Sequence, residues 1–132
     1  MMYDEVLQAV IDIAELTGVQ IFTGSLPPDN GIAMTATGGS ETTMLDIGTQ
    51  ERIMLLCNGK NRDQKTVISQ LEAIHKRLTR TKGFPNGGLP STEGWQIYSI
   101  ETTASPRLLG HEPNGQWVYG SSLVVKVNMK GI

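Results

Sequence analysis

The chain holds a single cysteine, Cys57. No disulfide can form within it, so the fold rests on packing alone. Cys57 sits in the apolar run Ile53–Cys57 and reads as a small buried hydrophobe rather than a reactive thiol. Aromatic residues make up only 5% of the sequence, which leaves an aliphatic core. No apolar run approaches the roughly 20 residues of a membrane-spanning helix. Met1-Met2-Tyr3-Asp4 lacks the charged and apolar regions of a secretion signal, which predicts synthesis and folding in a cytoplasm. Charge of one sign is also lacking: 11 basic residues face 13 acidic ones, a net charge of −2. A protein built mainly to hold nucleic acid would need a basic stripe.

At 132 residues the chain is expected to form one domain over residues 1–132. That length buries about two-thirds of the unfolded surface without staples. Its clearest signal is in the C-terminal third. Trp117–Met129 alternates with a period of two, with Trp117, Tyr119, Leu123, Val125, Val127 and Met129 on one face. Gly120, Ser122, Lys126 and Asn128 fall on the other. Such a strand has one face on a core and one face toward solvent or a partner. Trp95–Thr103 reads as its neighbour, joined by a long polar connection, Ala104–Gln116.

Upstream, Tyr3–Thr17 carries an apolar stripe (Val6, Val10, Ile13, Leu16) at helical spacing, with Gly18 as its cap. Val19–Thr23 and Ile32–Thr37 read as two short strands paired in a hairpin, and Gly38–Gln50 as a second long connection. Glu51–Asn58 is apolar on both faces at its centre, which places it inside a sheet. Asn58–Asn61 is expected to turn the chain into a second helix, Arg62–Arg80, with Val67, Leu71, Ile74 and Leu78 on one stripe. Phe84–Gly94 is rich in proline and glycine and irregular. The order α-β-β-β-α-β-β predicts an α+β two-layer sandwich: a mixed, mainly antiparallel sheet with two helices packed on one face.

The chemistry of common sites is missing. Gly59-Lys60-Asn61 ends like a phosphate-binding loop, but position 54 is Met54 where that motif needs glycine, and Asn61 stands where it needs Ser or Thr. His75 flanks the second helix's apolar stripe and reads as a satisfied core histidine. His111 has only Glu112 beside it, short of the three or four ligands a metal takes. No Gly-x-Ser-x-Gly follows a strand. We therefore expect no catalytic residues, no cofactor and no metal. Met44, Leu45 and Ile47 stand out in the connection Gly38–Gln50. They fit either a satellite of the core or anchors presented to a neighbouring subunit.

Glu51-Arg52-Ile53-Met54-Leu55-Leu56-Cys57-Asn58-Gly59-Lys60-Asn61-Arg62-Asp63, with the helix Thr66–Leu78 after it, resembles the strand-then-helix of phage tail-terminator proteins. In many phages of Gram-positive bacteria these are labelled minor capsid proteins. Ala104–Tyr119, with Pro106, Leu109-Gly110 and Asn114-Gly115, resembles that family's turn into its last strand. The opening helix Tyr3–Thr17 fits as well.

The resemblance implies a structural virion protein, assembled in the host cytoplasm and resident in the tail or neck. It would form a hexameric ring that caps the tail tube, stops polymerisation of the tube protein and offers a surface to the head-completion or connector protein. DNA would pass through the lumen without specific binding, and no membrane would be involved. Met44, Leu45, Ile47, Arg107 and His111 are the candidate contacts to a neighbouring subunit or partner. Arg107 would offer a bidentate contact to a carboxylate. Two other readings stand beside this one: another neck or connector component, and a small-molecule-binding α+β domain with its pocket between the second helix and the sheet. The apolar stripe on that helix counts against the pocket.

Overall fold

The computed structural model describes residues 2–27, 29–44, 48–80 and 95–129. Helix α1 (Met2–Ala14) runs into a short 3₁₀ turn, Glu15–Thr17, and then come β1 (Ile21–Thr23), β2 (Gly31–Met44) and β3 (Gly48–Asn61). Helix α2 (Gln64–Arg80), β4 (Trp95–His111) and β5 (Trp117–Met129) complete the α-β-β-β-α-β-β order. The five strands make one mixed sheet in the order β1-β2-β3-β5-β4.

Both helices pack on one face, because the apolar stripes of α1 and α2 meet strand residues of a single parity. Val6, Val10 and Ile11 from α1 and Val67, Leu71, Ile74 and Leu78 from α2 share one core. Ile32, Met34, Ile53, Leu55, Cys57, Leu123, Val125 and Val127 supply the sheet side of it. The result is an α+β two-layer arrangement, and β3 lies at its centre, as its apolar run predicts. Among the described residues no element covers the second sheet face. Gly18 closes the first helical segment in the left-handed region, at φ 89°, where a Cβ would be strained.

Asp63 starts α2. Its side chain accepts from the Lys65 N–H at 3.2 Å and from Thr66 Oγ1 at 2.7 Å, so an N-cap fixes where the helix begins. Asn58–Asn61 is therefore not the turn expected there; β3 continues to Asn61, and only Arg62 and Asp63 reverse the chain.

Three further expectations are corrected. First, β1 and β2 pair in parallel, Ile21 opposite Ile32, rather than as a hairpin. A parallel return usually needs a long crossover. Here β1 is three residues long, so residues 24–30 suffice to carry the chain back beside its start. Second, Gly38–Gln50 is mostly ladder rather than loop. Gly38 pairs with Met54 and Met44 with Gly48, after a register shift at Ala36/Gly38. Glycine, serine and threonine hide the period of two there, but ladder hydrogen bonds are made by the backbone and need no apolar side chain.

Third, β4 runs on through Ala104 to His111, where a loop is expected. Pro106 does not end it, for two reasons. The strand is at the sheet edge, where one row of N–H groups has no ladder partner to lose. In addition, Ser105 and Pro106 fall inside a register shift between Ala104 and Arg107. The true connection is residues 112–116, closed by the Gly115 N–H donating to the Glu112 carbonyl at 2.9 Å, with Gly115 at φ 91°.

Candidate functional site

The surface most able to meet a partner is the open sheet face together with the end of the sheet where the β1–β2, β3–α2 and β4–β5 connections meet. Alternation puts Asn58 and Leu56 of β3, Gly120 and Ser122 of β5, and Ala104, Arg107 and Leu109 of β4 around one shallow depression of about 170 Å³. Its floor is Gly120, where a Cβ would come within 2.7 Å of Leu109 Cδ1. Glycine thus lets the Leu109 side chain lie flat on the sheet.

Arg107 is exposed and makes no hydrogen bond or ion pair among the described residues. Leu108 and Leu109, 51% and 54% exposed, are the most exposed large apolar side chains among the described residues. Phe22, on β1, is 38% exposed at the opposite edge of the same sheet.

The end of the sheet is locked by side chains from three loops. Gln116 is fully buried, and its Nε2 donates to Asp29 Oδ1 at 2.7 Å. Asp29 also faces Arg62 Nε at 3.7 Å, and Asn30 Oδ1 accepts the Arg62 N–H at 3.1 Å. Lys60 reaches Glu112 Oε1 at 3.5 Å. These bonds tie Asp29 and Asn30 to Arg62 and to the 112–116 connection.

Of the sequence candidates, Arg107 and His111 both lie on the last stretch of β4. His111 stacks on Trp117 with ring centres 4.0 Å apart and planes 8° from parallel. That contact uses the ring as a flat surface across the β4–β5 hairpin. The backbone of Met44 pairs with Gly48 in β2–β3, away from this rim. Leu45 and Ile47 lie outside the described residues. The structure places Arg107 on the open face, opposite Gly120, and His111 on the helix side against Trp117, so the two lie on one strand but on different faces, and the Met44 backbone lies away from both. Reading by period missed Phe22, Leu108 and Leu109. Leu109 gave no signal, because it stands in a bulge of an edge strand with its side chain over Gly120, and neither the bulge nor the register is visible in the sequence.

His75 is a core histidine, as its position on α2 predicts. Nδ1 lies 2.8 Å from Thr102 Oγ1, and Nε2 lies 2.7 Å from Ser121 Oγ. The Ser121 hydroxyl in turn donates to the Cys57 carbonyl. With that proton committed, His75 donates from Nε2 and accepts at Nδ1. Burial holds its pKa below the ordinary histidine value. Ser121 is thus engaged with the backbone and not poised as a nucleophile. Cys57 is fully buried, and burial pushes its thiol up to about 12, so it has almost no thiolate at neutral pH. Among the described residues no three His, Cys, Asp or Glu side chains gather as a metal site, and no helix is long and apolar enough to cross a membrane.

No protein-family model matches the sequence. No curated protein matches it either. Among solved structures, a chain from the virion of a native gene transfer agent particle shares the fold with a TM-score of 0.55 and 14% identity, over 96% of this chain and 91% of that one.

Proposed function

We infer that the protein is a structural component of a phage-like virion and, within it, the tail terminator. The observation that carries this reading is the end-to-end likeness of fold to a chain of a gene transfer agent virion, which spans nearly all of both chains. A likeness confined to a common βαβ piece would say little, but here the match covers 96% of this chain and 91% of that one. The family resemblance in Glu51–Asp63 and Ala104–Tyr119 points the same way and supplies the finer role.

In this reading the protein catalyses nothing. Copies join into a hexameric ring on the last ring of the tail tube, halt addition of tube protein and present a surface to the head-completion or connector protein. DNA crosses the lumen without specific binding. The locked rim of loops 24–30, 62–63 and 112–116 suits such a role, because a docking surface that keeps one shape gives up little entropy on binding. The reading of a ligand pocket between α2 and the sheet is disfavoured, because Val67, Leu71, Ile74 and Leu78 fill that space and are fully buried.

The test is solution mass by light scattering together with negative-stain imaging. The expected result is a closed ring, alone or on addition of tube protein. A neck map in which this chain occupies no ring would refute the assignment.

A further inference from the structure

We propose that the open sheet face of one copy is covered by the acidic outer stripe of helix α1 of the next, with Glu5, Asp12 and Glu15 set against Arg52 and Arg107. The proposal rests on the ring reading above and names the contact that builds it. Three observations support it.

The first is how charge divides. The first 51 residues hold eight acidic residues and no lysine, arginine or histidine; every basic residue comes from Arg52 onward. The fold sends the two signs to opposite sides. Val6, Val10 and Ile13 of α1 are buried against the sheet, so the exposed Glu5, Gln8 and Asp12 point away from it, and Glu15 continues their row. Ile53 and Val125 are buried on the helix side, so Arg52 and Lys126, opposite each other in the ladder, lie on the open face. Arg107, opposite Gly120, lies there too. Glu101, opposite Val124, is the one acidic strand residue of that face among the described residues, and Lys126 takes it at 3.2 Å.

The second is that these charges are oriented but not neutralised. Glu5 accepts from Trp95 Nε1 at 2.9 Å, Asp12 from Gln8 Nε2 at 2.8 Å, and Glu15 from the Ile21 N–H at 3.1 Å. Each carboxylate is held by a neutral donor, and none has an ion pair among the described residues. Arg52 and Arg107 are exposed and make no hydrogen bond or ion pair there either. Carboxylates already fixed on one stripe give up little freedom when a cation docks on them. Glu5 and Glu15 stand about 15 Å apart along the helix. Arg52 and Arg107 stand about 20 Å apart along the strands, a difference that long arginine side chains span.

The third is direction. A two-fold pair buries one patch against its own copy. Sheet face on sheet face would set a surface of positive charge against itself, and α1 on α1 would set carboxylate against carboxylate; both oppose association. The two patches lie on opposite layers of the molecule, so a rigid two-fold pair cannot join both at once. Front against back is the arrangement they allow, and such a contact closes into a ring when its rotation permits. The outer side of α2 carries Lys65, Lys76 and Arg77 against Glu72. The fit is therefore confined to the α1 side of the helix layer, which offsets each copy sideways on its neighbour.

The experiment uses full-length protein at low salt and two sets of charge reversals: R52E/R107E on the sheet face and E5Q/Q8K/D12K on the helix, where E5Q keeps an acceptor for Trp95. Each variant alone should raise the concentration at half-assembly by about tenfold or more, with thermal melts close to wild type showing that the fold is kept. D12K alone, which disturbs only a contact to Gln8, repeats the helix arm should the triple variant melt early. Mixed in equal amounts, the two variants should assemble again, because the acidic helix of the first fits the basic face of the second, and the basic helix of the second fits the acidic face of the first. Added salt should weaken wild-type assembly. If the wild type assembles and both variants assemble like it, or the mixture shows no rescue, this contact is wrong and the ring stands. A helix variant that assembles like wild type while R52E/R107E does not would mark a contact of sheet face on sheet face and overturn the proposal. Retention of duplex DNA by the wild type, lost in R52E/R107E with assembly unchanged, would assign the face to nucleic acid and overturn it as well. A wild type that stays monomeric at millimolar concentration, with tube protein present, overturns the ring reading and this contact together.

Discussion

Gly59→Ala asks why a Gly-Lys pair stands at the end of β3. A Cβ at this position would lie 2.5 Å from Ile32 Cδ1 and 2.8 Å from Val67 Cγ2. Both side chains are fully buried, so neither can swing into solvent. The glycine is there because α2 crosses β3 closely through Val67, not because a phosphate must approach the backbone. Forcing a methyl into a filled core costs about 1–3 kcal/mol. Replacing a flexible glycine returns about 0.4–1 kcal/mol by restricting the unfolded chain. The net expectation is a loss of about 1–2 kcal/mol. With a urea slope of about 1–3 kcal/mol per molar, the unfolding midpoint should fall by roughly 0.5–1 M. Val67→Ala removes the methyl group that the new Cβ would strike, so the two changes should be strongly non-additive, with a coupling of at least about 0.5 kcal/mol. A Gly59→Ala variant within about 0.5 kcal/mol of wild type, additive with Val67→Ala, would show that the helix does not approach the strand as described.

Other outcomes follow from single residues. Leu71 is fully buried beneath α2, and Leu71→Ala should cost about 2–5 kcal/mol in urea unfolding; a loss well under 1 kcal/mol would mean that another face of the helix meets the sheet. Asp63→Ala removes the N-cap of α2 and should cost about 1 kcal/mol, read as a lowered melting temperature, while Asp63→Asn should keep most of it. Burial lowers the pKa of His75, so the unfolded chain takes up its proton first as pH falls. The stability tied to His75 is therefore fully present above the ordinary histidine value and is lost as pH drops from there toward the lowered folded value. Unfolding free energies measured from pH 7.5 to pH 5 should fall in wild type and fall less in His75→Gln; equal slopes would show that His75 titrates normally.

Much of the fold was readable because its signals are periodic. The stripe Val67, Leu71, Ile74 and Leu78, the alternation of Trp117–Met129 and the apolar run Ile53–Cys57 each specify an element and its buried side. Those elements make up the helix–sheet core. What escaped was the backbone's own contribution. The outer half of the β2–β3 ladder is built of glycine, serine, threonine and glutamate, and the far half of β4 contains a proline. Both are held by hydrogen bonds that leave no trace in hydrophobic pattern. The parallel pairing of β1 escaped for a different reason: a three-residue strand is too short to show an alternation that would set its register. The candidate contacts divide on the same line. Arg107 and His111 stand out as polar residues of an expected loop; they share a strand instead, on opposite faces of it, and nothing in the hydrophobic pattern reveals that strand. Phe22 and Leu109 gain their meaning only from the sheet order, which brings strands distant in sequence onto one open face.

That sheet order also bears on the ring proposed above. An edge strand with free N–H and C=O groups invites another strand to add, and repeated addition has no built-in end. Here the β4 edge is poorly suited to it. β4 carries four register shifts, and Pro106 falls within one of them. On the other side β1 covers only Ile32–Met34, so β2 itself forms the edge from Thr35 to Met44 among the described residues. Bulges twist an edge away from regular pairing, and a short strand gives few bonds to a newcomer. In the proposed ring, a contact made along the β4 edge would then be made by side chains. Side-chain docking fixes an angle between neighbours more tightly than strand addition, which tolerates slippage by two residues at a time. A fixed angle is what separates a closed ring from an open filament. For a protein that ends a polymer, as proposed, the irregularities of β4 would exclude strand addition at that edge while leaving Leu108, Leu109 and Arg107 exposed.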